Sequence, residues 1–311
     1  MTIKIVKFIV IHEAHNCNHF HADKLCKNQK GNTMKNFKNK VAAITGAGSG
    51  IGQQLAVLLA KQGCHLSLSD VNEKGLAETL DLVKDSDVRV TTKKVDVAKQ
   101  AEVKAWAEET VRNHGSVNMI FNNAGVALGS TVEGASYEEL EWIVNINFWG
   151  VVYGTKEFLP YIKKTGEGHI INISSLFGLT AQPTQSAYNA TKFAVRGFTE
   201  SLRQELDIEN NGVSALCVHP GGIRTNIAND ARMNDSLRSL GMNPEKSAKT
   251  FNKLLRCPPE EAARQILAAV QKDRRRLLIG NDAKVIDLMQ RILPTGYQKV
   301  TAFATKLGKG K

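Results

Sequence analysis

Residues 41–60, VAAITGAGSGIGQQLAVLLA, decide the fold. Val41-Ala42-Ala43-Ile44-Thr45 is a short uncharged run, the pattern of a buried strand. Gly46-Ala47-Gly48-Ser49-Gly50-Ile51-Gly52 follows as a turn, and Leu55, Leu58, Leu59 and Ala60 then recur with a helical period. Strand, glycine turn and helix in that order let the backbone approach a pyrophosphate closely, with the N–H groups and dipole of the helix start aimed at it. The spacing is Gly-x3-Gly-x-Gly; Ile51 stands where the common G-x-G-x-x-G wants its last glycine. A tight structural turn is the alternative reading.

Outward from this unit, strand patterns at 40–45, 65–70, 88–95, 117–121, 168–174, 213–218 and 276–279 alternate with helical ones. That alternation calls for an α/β fold, a doubly wound parallel sheet of about seven strands with helices on both faces and its ligand site at the carboxyl ends of the strands. A chain of 311 residues with 42% hydrophobic content can bury such a core in a single domain, placed at 34–293.

A second stretch carries chemistry. Tyr188-Asn189-Ala190-Thr191-Lys192 puts a phenol and an ammonium at i and i+4, on one face of a helix. A phenol titrates near 10, and a cation beside it favours the phenolate and brings proton exchange toward neutral pH. Alone, such a pair is an ordinary helix surface.

Together the motifs make a recognisable set: TGAGSGIG at 45–52, Asn-Asn-Ala-Gly at 122–125, Asn147 ahead of Phe148-Trp149-Gly150-Val151, Ser174-Ser175 at a strand end, and then Tyr188 and Lys192. In this the chain resembles the short-chain dehydrogenase/reductase family, over roughly residues 38–293 and with no departure at a catalytic position. The resemblance implies that Tyr188 exchanges the substrate's oxygen-bound proton, that Lys192 lowers its pKa and contacts the nicotinamide ribose, and that Ser175, thirteen residues before Tyr188, hydrogen-bonds the substrate oxygen. Asn147 would hold a water that leads protons from Lys192 to solvent, and oxidised nicotinamide would depress the Tyr188 pKa further. The dinucleotide would lie on Gly46, Ser49, Gly50, Ile51 and Gly52, with Asp96 and Val97 at the adenine. Asn123, Ala124 and Gly125 would wall the adenosine, and Pro220, Gly221, Ile223 and Thr225 would form the nicotinamide-side loop. No metal is called for. Structural readings of these residues are a strand-end cap for Ser175, a mid-helix kink for Asn147, and turn positions for the rest.

Asp70, ending the second strand, stands at the position expected to meet the adenosine ribose, where a carboxylate accepts from both hydroxyls and repels a 2′-phosphate. No Lys or Arg lies inside the glycine turn or just after Asp70. NAD is therefore expected over NADP; Asp70 as N-cap of the helix near Glu73 is the structural alternative. The function expected is hydride transfer between NAD and a hydrophobic secondary alcohol or ketone. The alternatives are an NADP-dependent 3-ketoacyl-type reductase and a non-catalytic nucleotide-sensing protein.

Residues 226–257 read as an irregular insertion closing over a substrate, with Met233, Leu237, Leu240, Met242, Phe251, Leu254 and Leu255. Leu176, Phe177 and Leu179 add to an apolar pocket. Basic residues on the insertion, Arg232 and Lys249 among them, suit a solvated face or an acidic group on a substrate. An apolar helix over 137–163 and another from Tyr188 predict a two-fold homo-oligomer, dimer or tetramer. Val285, Leu288, Met289 and Ile292 give the last helix an apolar face, expected to dock on the body, with tetramer completion or membrane contact as alternatives.

The net charge of +11 divides into +6 over residues 1–40, +7 over 272–311 and −2 between them. Such basic ends read as solvated tails, 294–311 included, and no nucleic-acid motif accompanies them. No stretch is apolar enough to span a bilayer, and the five cysteines form no disulfide framework, so a cytoplasmic protein is expected. Residues 1–33 read as a disordered or non-native extension. If the gene is bacterial, the AAR-GGN codons of Lys30-Gly31 form a purine-rich string resembling a ribosome-binding site about six nucleotides before the Met34 codon, so translation is expected to start at Met34. His12, His15, Cys17, His19, His21 and Cys26 match no known zinc spacing.

Overall fold

In the computed structural model, residues 34–307 are described. The N-terminal extension, with its His and Cys residues, lies outside the described residues. Val41–Thr45 (β1) and Gly50–Ala60 (α1) are followed by His65–Asp70 (β2), Glu73–Val83 (α2), Val90–Lys94 (β3), Gln100–His114 (α3) and Met119–Asn122 (β4). After a short strand at Leu128–Gly129 (β5) come Tyr137–Val144 (α4), a π-helical turn at Asn145–Trp149, and Gly150–Lys164 (α5). Gly168–Ile173 (β6), Ser186–Glu209 (α6), Val213–Pro220 (β7) and Arg232–Met233 (β8) lead to Pro244–Leu254 (α7) and Pro259–Gln271 (α8). Arg276–Ile279 (β9), Asn281–Ile292 (α9) and Gly296–Leu307 (α10) complete the order.

Seven strands form one parallel sheet in the order β3-β2-β1-β4-β6-β7-β9. Chain order reverses between β1 and β4, which opens a crevice at the carboxyl ends of these strands. Every residue of β1, β4 and β6 is buried, as a parallel strand covered on both faces requires, while edge strand β3 carries Lys93 and Lys94.

One core lies under α1 and α8 and another under α3, α5 and α6. Leu55, Leu59, Leu66 and Leu68 are fully buried in the first, each contributing roughly 2 kcal/mol. In the second, Trp106 meets the Phe158 ring edge-on at 4.8 Å and donates its indole N–H to Ser67 at 2.9 Å.

The expected helix over 137–163 is present but interrupted. At Asn145–Trp149 the ladder widens, Gly150 N–H bonding the Asn145 carbonyl five residues back. Residues 226–257 are more regular than expected. Strand β8 pairs with β5, Arg232 and Asn234 N–H donate to the Ala127 and Gly129 carbonyls at 3.1 and 2.8 Å, and α7 follows. Nor is 294–311 simply a tail, because α10 occupies most of it.

Candidate active site

The glycine turn is built by exclusion. Gly46 and Gly50 have φ of +63° and +54°, where a side chain is strained. A Cβ on Gly52 would lie 2.2 Å from the Gly46 carbonyl oxygen, and one on Gly50 would meet the Thr225 methyl at 2.9 Å. This packing brings the start of α1 and the loop after β7 together. Ser49 stands at the N-cap of α1 without making a side-chain cap, and no acidic residue occupies the first turn. The helix start therefore suits an anion such as a pyrophosphate.

Asp70 sits at the end of β2 with one carboxylate oxygen on this turn and the other on the loop that follows β2. Oδ2 accepts from Gly48 N–H at 2.9 Å and Oδ1 from Asn72 N–H at 2.9 Å. The cap of α2 is Asn72, which accepts from Gly75 N–H at 3.1 Å, so the alternative of Asp70 as that cap is corrected. Beside Asp70 in the sheet, Lys94 is ion-paired with Glu73 at 2.9 Å.

After β3, Val97 packs against Gly150, whereas the Asp96 carboxylate turns back to Ala98 N–H at 3.0 Å. After β4, Asn123 donates to the Thr45 carbonyl at 2.9 Å, and the Thr45 hydroxyl accepts from Asn123 and Ala124 N–H at 2.9 and 3.0 Å. Thr45 is thus a structural tie that its place in the motif does not announce. After β7, Pro220 pairs within the sheet and the Ile223 side chain is buried in the core, which leaves Gly221, Gly222 and Thr225 at the crevice. Gly222 N–H is held by the Asp282 carboxylate of α9 at 2.7 Å, another partner not foreseen.

At the far end of the crevice, Gly125, Asn147, Ser175, Tyr188 and Lys192 converge. A Cβ on Gly125 would lie 3.2 Å from Asn147 Oδ1 and 3.4 Å from Lys192 Nζ. The Asn147 side chain is fully buried and clamps Val126: Oδ1 accepts from its N–H at 2.8 Å and Nδ2 donates to its carbonyl at 2.9 Å. It also donates to the Thr191 hydroxyl at 3.3 Å.

Lys192 is one helical turn from Tyr188, its Nζ 5.6 Å from the phenol ring centre and donating to the Ile173 carbonyl at 3.1 Å. Burial pushes its ammonium down to about 8. Burial also pushes the Tyr188 phenol above its ordinary value, opposed by a hydrogen bond from Ser175. In the protein alone, burial is the larger of these two influences on Tyr188. Ser175 starts a short helical turn, its hydroxyl accepting from Phe177 N–H at 3.1 Å, while Ser174 is buried and donates to the Lys192 carbonyl at 2.8 Å. Behind Ser175, His219 Nδ1 lies 3.0 Å from the Ser175 carbonyl oxygen. Burial drives this imidazole down to about 4, so it is neutral at physiological pH and acts as donor there. Nothing in the sequence singled it out.

On the open side the Phe177 ring stands perpendicular to Tyr188 with centroids 6.1 Å apart. Val126, Leu140, Trp142 and Ile227 pack around the same cluster, and the Arg232 guanidinium stacks 3.7 Å over Trp142. Leu176 and Leu179 are buried instead of lining a pocket, as are Leu237 and Leu255; the side chains of Phe251 and Leu254 are outside the description. Among the described residues no group of three His, Cys, Asp or Glu is placed to hold a metal. Cys64 and Cys217 are buried and unpaired, their thiols pushed up to about 12.

Comparison with known proteins agrees with this architecture. The family described as short chain dehydrogenase matches residues 40–236. The chain is 45% identical over 270 residues to the putative oxidoreductase SadH of Mycobacterium tuberculosis, covering 86% of this chain and 96% of that one. Among solved structures it resembles a short-chain dehydrogenase/reductase from Burkholderia phymatum in complex with NAD, with TM-score 0.77 and 29% identity over 84% of this chain and 95% of that one. An alcohol dehydrogenase from Thermococcus sibiricus complexed with 5-hydroxy-NADP is also similar, with TM-score 0.64 and 26% identity over 78% and 95% of the two chains. The chain belongs to the short-chain dehydrogenase/reductase family, as an oxidoreductase with a nicotinamide cofactor and a small-molecule substrate.

Proposed function

We propose that the protein is an NAD-dependent oxidoreductase acting on a hydrophobic secondary alcohol or ketone, with Tyr188 as general acid and base. The observation that carries this reading is the convergence of Ser175, Tyr188 and Lys192 in a buried cluster at the carboxyl end of the sheet. The glycine turn, whose Cβ positions are filled by neighbouring backbone at Gly46 and Gly52 and by the Asp70 and Thr225 side chains at Gly48 and Gly50, and the free helix start behind it fit a dinucleotide. NAD, when bound, supplies the hydride acceptor and, reduced, the donor.

The chain's own residues then divide the work. Gly46, Ser49, Gly50, Ile51 and Gly52 hold the pyrophosphate by main-chain N–H groups and the Ser49 hydroxyl. Asp70 keeps lone pairs for a ribose diol while bracing Gly48, and its charge opposes a 2′-phosphate. Lys94, the cation beside it, is already paired with Glu73, which favours NAD over NADP. Ser175 orients the substrate oxygen and Tyr188 gives or takes its proton. Lys192, poised near 8, steadies the phenolate and passes protons toward the π turn at Asn147. Phe177, Trp142 and Ile227 favour an apolar substrate. Asn147, by clamping Val126, fixes the wall opposite Lys192.

Trp149 and Phe193 are 42% and 40% exposed on adjoining helices, and Phe148 meets Phe198 edge-on, which supports pairing of this face with a second copy. A screen of alcohols and ketones with NAD(H) and NADP(H), following reduced-nicotinamide absorbance, tests the reading. Turnover with NAD(H) and apolar secondary substrates is expected. Binding of NADH without turnover of any member of the panel would favour a nucleotide-sensing protein.

A further inference from the structure

Helices α9 and α10 carry one side-chain pattern twice. Lys284-Val285, Leu288 and Arg291-Ile292 are matched fifteen residues later by Lys299-Val300, Phe303 and Lys306-Leu307. At about 100° per residue, Val285, Leu288 and Ile292 fall on one narrow stripe with Lys284 and Arg291 along one edge, and the second helix repeats the arrangement. The docking of this stripe on the body, expected from sequence, is corrected by the structure. Val285, Leu288, Ile292 and Phe303 are 66%, 57%, 67% and 63% exposed, whereas Ala283, Asp287 and Tyr297 face inward and are buried. The helices are anchored all the same: Ala181 N–H donates to the Tyr297 hydroxyl at 3.2 Å, and Asp282 holds Gly222.

An apolar stripe this exposed needs a cover, and charge selects it. The acidic residues of the two helices are Asp282, engaged by Gly222, and Asp287, engaged by Arg276 and Arg291. The rim that remains is cationic: Lys284, Lys299 and Lys306. In a two-fold contact between copies the same patch meets itself, so these cations would confront one another without a carboxylate between them. An anionic lipid surface satisfies both parts, taking the apolar stripe at the acyl boundary and the ammonium groups at the phosphates. We propose that α9 and α10 dock the protein on a bilayer containing anionic lipid. The docking stands independently of the catalytic reading.

Flotation of the full chain with vesicles of equal parts phosphatidylglycerol and phosphatidylcholine, against phosphatidylcholine alone, tests it. Binding to the mixed vesicles is expected to be at least about tenfold stronger and to weaken with salt. A Leu288→Asn/Phe303→Ser pair and a Lys284→Gln/Lys299→Gln/Lys306→Gln triple should each lose about tenfold or more of that binding, with melting temperature and NADH affinity unchanged. No binding to the mixed vesicles, or equal binding by the variants through another part of the chain, would overturn the proposal. So would a drop in oligomer mass by light scattering in the apolar variant, which would assign the stripe to a second copy.

Discussion

The two ends of the crevice treat polar groups in opposite ways. At the glycine turn the side chains of Asp70, Asn123 and Thr45 already have main-chain partners: Asp70 holds Gly48 and Asn72, Asn123 holds Thr45, and Thr45 holds Asn123 and Ala124. At the Tyr188 end an ammonium and a phenol are buried together, and among the described residues Lys192 meets a carbonyl and no carboxylate. The first end is a hydrogen-bonded frame, which on the proposed function recognises shape and fixed charge. The second holds charge at a cost, which on the proposed function suits a group that gains and loses a proton.

If that contrast is right, the ends break differently. Gly52→Ala should do most damage to cofactor affinity and to the fold together, since its methyl would lie 2.2 Å from the Gly46 oxygen and the turn cannot yield without moving α1. NADH affinity measured by fluorescence should fall by more than about a hundredfold, and melting should drop by an overpacking penalty of about 1–3 kcal/mol. Retained affinity would mean the turn is softer than described.

Lys192→Met should lower turnover by about a hundredfold or more and yet stabilise the fold at neutral pH. Burial holds the ammonium at about 8 against an ordinary 10.5. Between those values the unfolded chain binds more protons than the folded one, so wild-type stability rises with pH across that window. Below it the buried cation costs up to about 3 kcal/mol, which the methionine relieves. Denaturant melts at both ends of the window check this: the variant's advantage should be largest near neutrality and shrink toward pH 10.5.

Asp70→Ala should have the smallest effect, a shift of the NAD-to-NADP ratio of specificity constants by about tenfold toward NADP. An unchanged ratio would reduce Asp70 to a brace for Gly48.

What was legible in the sequence follows the same division. The parallel strands and the glycine turn declare themselves locally, through uncharged runs and residues with no side chain, and β1, β2 and β9 fall at or within a residue of where the pattern places them. Tyr188 and Lys192 were legible because helical geometry ties i to i+4. His219 beneath Ser175, Asp282 beneath Gly222 and the Asn147 clamp on Val126 were not, since each partner is distant in the chain and chosen by packing. The insertion at 226–257 looked irregular because its order comes from pairing with β5, not from its own periodicity. Leu176 and Leu179 read as pocket residues because apolarity alone does not tell a lining from a core.

The most direct test of the central claim measures two quantities on one preparation of Tyr188→Phe. Turnover with the best NAD-linked substrate should fall by about a thousandfold or more, while NADH affinity stays within a few fold, because only the hydroxyl that exchanges the proton is removed. Turnover within tenfold of wild type would contradict the assignment of Tyr188.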